Sequence, residues 1–198
     1  PFHYPSIMES LRKRGFTPVS IPLPLSIPFG MRGYIGGHVA RKDGNAIILD
    51  PNKKIVACEG GRISDVVKVF DEVITLSKED FNIKDEDFDY FEAILEFTIK
   101  PTIHAIDIIR HIERGKLYER ASDIIGEAVC PFIISFVPLS KRPNERSWLD
   151  IRIFPDPAMP ERFLANIVFR DEKKNIVISF VERAESLIRE LILALEGR

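Results

Sequence analysis

The chain has 198 residues, a mass of 22.6 kDa and a net charge of -2, with 45% hydrophobic and 29% charged residues. That composition is globular and can bury roughly 70% of the unfolded surface, in one good core or two small ones. The charge balance argues against a mainly electrostatic nucleic-acid binder, two cysteines argue against a disulfide scaffold or a CxxC zinc site, and no stretch reads as a signal peptide or a membrane span.

The expected setting is cytoplasmic, with Cys58 and Cys130 as thiols near strand ends. The chain has no Gln and carries 28 Ile against 14 Leu. Depleted amides beside many charged residues lean toward a thermophilic source.

Ser6 and Glu9 stand at capping-box spacing, which predicts a short helix from Ile7 to Arg14 that stops at Gly15. Residues 16–28 carry Pro18, Pro22, Pro24 and Pro28. Neither a helix nor a central strand tolerates that spacing. The apolar residues between the prolines predict an arm pressed onto a core rather than an SH3-type ligand. The run GMRGYIGG at 30–37 is neither a dinucleotide fingerprint nor a P-loop, so it reads as turns beside a strand. Arg32 is its natural charge if it holds an anion.

A meander follows. Strands are predicted at Tyr34 to Arg41, Ala46 to Leu49 and Ile55 to Cys58, with tight turns at Asp43-Gly44 and Asp50-Pro51-Asn52-Lys53. Gly60-Gly61 leads to a helix from Ile63 to Leu76, with Val66, Val67, Phe70, Val73 and Ile74 on one side. Residues 77–89 are charged and read as a connector, with oxygen ligands for a cation (Asp85, Glu86, Asp87, Asp89) as the alternative. The boundary between two lobes, 1–84 and 85–198, is placed here, though one continuous domain also fits.

Asp89 to Ile99 alternates strictly. Phe91, Ala93, Leu95, Phe97 and Ile99 want a core, and Tyr90, Glu92, Ile94, Glu96 and Thr98 fall on the other face. Helices are predicted from Thr102 to Glu113 and from Leu117 to Val129, the second with Leu117, Ala121, Ile124, Ile125 and Ala128 inward. The run Phe132 to Val137 is apolar on both faces, which predicts a central strand. Strands Trp148 to Phe154, Arg162 to Arg170 and Asn175 to Phe180 follow, the last two around the turn 171–174. A helix from Val181 to Leu195 ends at Gly197. Segments 36–74 and 163–195 thus read alike, as strand, turn, strand, helix. The order in 89–195 is also like a helix-grip arrangement, a likeness of fold alone.

The fold class that results is α+β. A predominantly antiparallel sheet is packed by helices, with an N-terminal three-strand meander plus helix and a Pro-rich N-terminal arm.

Three groups of residues could carry chemistry. His104, Asp107 and His111 lie on one helix side at i, i+3 and i+7, opposite the isoleucines. They suit a metal site or a base with its orienter. The two histidines are about 10 Å apart along the axis, so one small ion takes Asp107 and only one of them. Glu92 and Glu96 stand about 13 Å apart on the strand, too far for a carboxylate dyad. With Tyr90 they could line a small-molecule pocket. Lys141, Arg142, Arg146 and Trp148 mix basic charge with an aromatic ring, as single-stranded RNA recognition requires.

No Walker, HExxH, Rossmann or nucleophile-elbow motif occurs, and no cofactor is expected. The first reading is a non-catalytic binding or structural protein. The broad apolar side of the last helix, through Leu187, Leu193 and Ala194, suggests a homodimer. The alternatives are a hydrolase built on His104, Asp107 and His111, and an RNA-associated protein, with nucleic acid the less favoured partner and no membrane.

Overall fold

The computed structural model describes residues 3–19, 37–50, 52–112 and 116–197. The remainder of the Pro-rich arm beyond Val19 and the glycine run up to Gly36 lie outside the described residues. The chain divides into two units, Pro1–Asp87 and Phe88–Arg198.

In the first unit, helix α1 spans Tyr4–Lys13 and begins earlier than the capping box implies. Pro5 fits the first turn, where no N–H is missed. Ser6 is therefore inside the helix, and its Oγ lies 2.7 Å from Nδ1 of His3, the N-cap residue. Ile7, Met8 and Leu11 are buried as the pattern implies. Gly15, at φ +81°, ends the helix, and Phe16 N–H donates back to the Leu11 carbonyl at 3.1 Å.

Strand β1, Thr17–Pro18, pairs with β2, Gly37–Lys42, at the sheet edge, where a proline is tolerated. Asp43 and Gly44 both take positive φ and join β2 to β3, Asn45–Asp50. That is the turn the sequence demands. Asp50 Oδ1 then accepts from the N–H groups of Asn52 and Lys53 at 3.0 and 3.1 Å, leading into β4, Ile55–Glu59. The four strands run antiparallel in the order β1-β2-β3-β4.

Helix α2 runs from Ile63 to Phe81, five residues beyond the expected end. The residues taken for a connector complete its last turns. Ser77 is buried and donates to the Val73 carbonyl at 2.8 Å, while Phe81 packs on the core. Lys78, Glu79 and Asp80 remain on the wet side, and charge there does not stop a helix. The buried stripe is Val69, Val73, Ile74, Leu76 and Ser77, so Val66, Val67 and Phe70 sit at its margin. The first core joins Ile7, Leu11, Phe16, Val39, Ile47, Leu49, Val69 and Val73.

Arg14 ties the end of α1 to the end of α2, reaching Asp80 at 2.5 Å and Glu79 at 2.8 Å. Hydrogen bonds from Arg14 and then Ser10 hold the Asp80 carboxyl below its usual value of 3.8. A depressed carboxylate stabilises the fold above its unfolded pKa and stops doing so as pH falls through the folded one. Asp80→Asn is therefore expected to melt below the wild type at pH 7, with the gap closing as pH falls below 3.8. Thermal melts from pH 7 to pH 3 check this, and a gap that stays constant with pH would sink it.

In the second unit, β5 is Phe91–Ile99 and β6 is Ile134–Phe136, with β7 at Trp148–Pro155 and β8 at Phe163–Asp171. They form an antiparallel sheet in the order β5-β8-β7-β6. Its face of Leu95, Phe97, Ile151, Ile153, Ala165, Ile167 and Phe169 packs on two helices, α3 (Ala105–His111) and α5 (Lys174–Leu195). The alternation in β5 places its faces as expected, with Ile94 and the glutamates outward.

Four expectations change. The strand at 132–137 is not central; β6 is a three-residue edge strand, because Pro131 and Pro138 bracket it. Asn175–Phe180 is helix, not strand. Val177, Phe180, Val181, Ala184, Ile188 and Ile192 form one buried stripe at spacings of three and four, and that burial outweighs the β-branched composition. The turn at 171–174 is thus a helix entry, with Asp171 Oδ1 accepting from Lys173 N–H at 2.9 Å. It is not a hairpin, and the likeness between 36–74 and 163–195 loses its second strand. Helix α4 covers only Lys116–Ile125, ends at Gly126 with φ +76°, and leaves Ile124 and Ile125 exposed rather than inward. Ala128 is exposed too.

The β7–β8 hairpin is closed by a loop at 156–162. Asp156 and Met159 each accept or donate within it, and Ile106 N–H of α3 donates to the Pro160 carbonyl at 3.3 Å. Among the described residues no helix is long and apolar enough to cross a membrane.

Candidate functional site

The six residues picked out by the sequence lie on or next to strand β5 and helix α3, and the structure separates them into two settings. His104 is the N-cap of α3, at φ -56° and ψ 132°, so it precedes the helix rather than sharing its face. Its backbone carbonyl accepts from Asp107 N–H at 2.9 Å and Ile108 N–H at 3.2 Å, and its ring makes no capping bond. Asp107 pairs with Arg110 at 3.5 Å. His111 Nδ1 donates to the Asp107 carbonyl at 2.6 Å, which leaves Nε2 as the ring's free position. Among the described residues no group of three His, Cys, Asp or Glu side chains stands close enough to hold a metal, and this includes Asp85, Glu86, Asp87 and Asp89. Lys78 pairs with Asp85, Lys84 with Glu86, and Arg146 with Asp89.

A calorimetric titration with zinc or manganese is expected to show no saturable heat. Saturable binding lost in a His104→Ala/Asp107→Ala/His111→Ala variant would overturn that expectation. Each single replacement should change stability by no more than about 0.5 kcal/mol.

Tyr90 and Glu92 do come together, around a residue that sequence reasoning missed. Arg170 stands opposite Glu92 in the β5–β8 register, and Trp148 stands opposite Arg170 in the β7–β8 register. Its Nε and Nη2 donate to Glu92 Oε2 at 2.8 and 2.5 Å. Its Nη1 donates to the carbonyls of Pro143 and Glu145, each at 3.2 Å. The Tyr90 ring lies 4.4 Å from the guanidinium carbon, a cation–π contact. The signal was the register itself, since Arg170 is an isolated cation in sequence. Glu92 is thereby committed to an ion pair that is less than a third exposed on either side. Glu96 faces Asn166, and Asn166 faces Arg152.

This arrangement fastens the loop 138–147 to the sheet. Arg170 spends four of its five N–H donors on one carboxylate and two carbonyls, so it offers little to a ligand. Arg146 is paired with Asp89 at 2.9 Å and Glu172 at 3.5 Å. Lys141 donates to Ser147 Oγ. Trp148 is 8% exposed, which leaves no ring face for a base to stack on. Of the basic run read as an RNA patch, Arg146 is held by carboxylates, Lys141 by a hydroxyl, and Trp148 is buried.

In the first unit, an open groove of about 730 Å³ is lined by Arg14, Lys42, Lys68, Asp71 and Glu72, among others. Lys42 is occupied by Glu72 and by the Arg14 carbonyl at 3.0 Å. Arg14 is occupied by Asp80 and Glu79. Both cysteines are free thiols. Burial pushes the Cys58 thiol up to about 12, which suits a core residue and not a nucleophile.

The second unit also exposes apolar side chains. Ile124, Ile125, Phe132, Ile133, Phe136, Val137 and Leu139 are all exposed, within one sixteen-residue stretch of the second unit. Isolated exposed hydrophobics are ordinary, and these seven are concentrated in sequence. On α5, by contrast, Leu187 packs against the core and Leu193 is the exposed large side chain near the end of the helix. No family model, curated protein or solved structure matches this chain.

Proposed function

We propose that this chain is a non-catalytic binding or structural protein of the cytoplasm that works as a homodimer through its second unit. The observation that supports it is the exposed apolar stretch from Ile124 to Leu139. Its seven large side chains carry roughly 800 Å² of surface, the share that one partner brings to a standard interface. The surface expected from the sequence, the outer side of the last helix, is replaced in this reading by α4 and β6. The settings of Glu92, Asp107 and Arg146, each held by an opposite charge, favour a structural role for these side chains over acid–base chemistry.

Light scattering at micromolar concentration tests the proposal. A mass near 45 kDa, twice the 22.6 kDa of the chain, is expected. A mass near 23 kDa would overturn it. Ile124→Glu with Val137→Lys should shift a dimer toward the lower mass without loss of far-ultraviolet helix signal.

A further inference from the structure

We infer that two copies of this chain join by antiparallel pairing of their β6 edges about a two-fold axis, giving one eight-stranded sheet. The inference rests on the homodimer proposed above and specifies how it is built. Among the described residues the sheet ends at β5 on one side and at β6 on the other, and the two edges differ in chemistry. The β5 edge carries Glu92 and Glu96 and runs into Lys100 and Pro101, the charges and proline that block strand addition. The β6 edge lies within residues 128–140, where no charged residue occurs. No charge guards this edge, and its prolines, Pro131 and Pro138, limit the length of a pairing without interrupting 132–137.

The exposed side chains point to a strand rather than a flat partner. Ile134 and Phe136 stand opposite Ile153 and Ile151, so they share the helix-covered face. Ile133, Ser135 and Val137 then fall on the open face. Ser135 Oγ confirms the side by donating to Asp150 at 3.3 Å, since Asp150 and Val168 face each other across β7 and β8. Phe136 is exposed on one face, and Ile133 and Val137 on the other. A partner resting on either face would leave the other wet. A strand laid along the edge covers both, because its own side chains alternate.

A second copy satisfies this symmetrically. A two-fold axis perpendicular to the sheet keeps the open faces of both copies on the same side. Residues directly opposite in an antiparallel pair share a face, so one residue must stand opposite its own copy. Pro131 and Pro138 bracket the pairing run and cannot donate to it. They place that residue at the middle of 132–137, at Ile134 or Ser135. Self-opposed α-carbons in such a pair are about 4.5–5.5 Å apart, within reach of a disulfide.

The test uses the full chain with Cys58 and Cys130 replaced by Ala, and one new cysteine at a time, Ile134→Cys or Ser135→Cys. An Ile94→Cys control sits on the outer face of β5. Each variant is checked for the dimer mass under reducing conditions and then oxidised mildly. A covalent dimer at position 134 or 135, and none at 94, is the expected result. Ile133→Lys with Val137→Lys should raise the dimer dissociation constant at least about tenfold. If the wild type has the dimer mass, yet neither cysteine cross-links and Ile124→Glu alone dissociates it, the strand pairing is overturned while the homodimer stands. A mass near 23 kDa for the wild type overturns both.

Discussion

Replacing Arg170 by Ala is expected to cost the second unit about 3 kcal/mol in denaturant unfolding. This guanidinium donates four hydrogen bonds, two to Glu92 and two to the carbonyls of Pro143 and Glu145. Arg170 and Glu92 are 18% and 25% exposed, so water replaces those bonds incompletely. Removing the cation leaves a half-buried carboxylate and two carbonyls without donors. Arg170→Lys should recover only part of the loss, because an ammonium cannot span the carboxylate and both carbonyls in one plane. Glu92→Gln should cost less than Arg170→Ala, since it keeps an acceptor. The chain's single tryptophan gives a second readout. Trp148 lies opposite Arg170, so its emission should shift to the red as the loop 138–147 loosens. A loss under about 1 kcal/mol with unchanged emission would show that the loop is held by other means.

The second large effect belongs to Gly60. A Cβ at this position would lie 1.9 Å from Asn45 Oδ1 and 2.9 Å from Val66 Cγ2. Asn45 cannot swing away cheaply. It is 2% exposed, and its Nδ2 donates to the carbonyls of Lys42 and Asp43 at 3.4 and 3.1 Å, inside the β2–β3 turn. Gly60→Ala must therefore displace either a buried amide or the start of α2, at about 2 kcal/mol. Gly61 is the internal control. A Cβ there meets nothing within 4 Å, so Gly61→Ala should stay within about 0.5 kcal/mol of the wild type. The double variant Gly60→Ala/Asn45→Ala should be less damaged than the two single losses added together, because truncating Asn45 removes the amide that the new Cβ meets. Equal effects of alanine at 60 and 61 would refute the steric account.

Local signals carried much of the architecture. The Asp43-Gly44 turn, the strict alternation of β5 and the apolar stripe of α1 were legible because each depends on neighbours within a few residues. Gly15 and Gly126 end their helices through backbone conformation alone. The α+β class and the antiparallel pairing follow from these pieces, since short connections join only antiparallel strands.

The sequence by itself determined the Asp43-Gly44 and 50–53 turns, the stripe of α1 and the two faces of β5. Only the tertiary structure decided which strands are edges, where α2 ends and α5 begins, and what the charged side chains meet. The run IVISF suits a strand until the helical stripe through Val177 and Phe180 is given a sheet to pack on. The apolar segment 132–137 suits a sheet centre until two prolines leave it as β6, three residues long and open on one side. Arg170 is one cation among many until the register sets Glu92 on one side of it and Trp148 on the other. Register joins residues about eighty positions apart, and no local pattern in the chain encodes that distance, because it is fixed by the burial of whole faces at once.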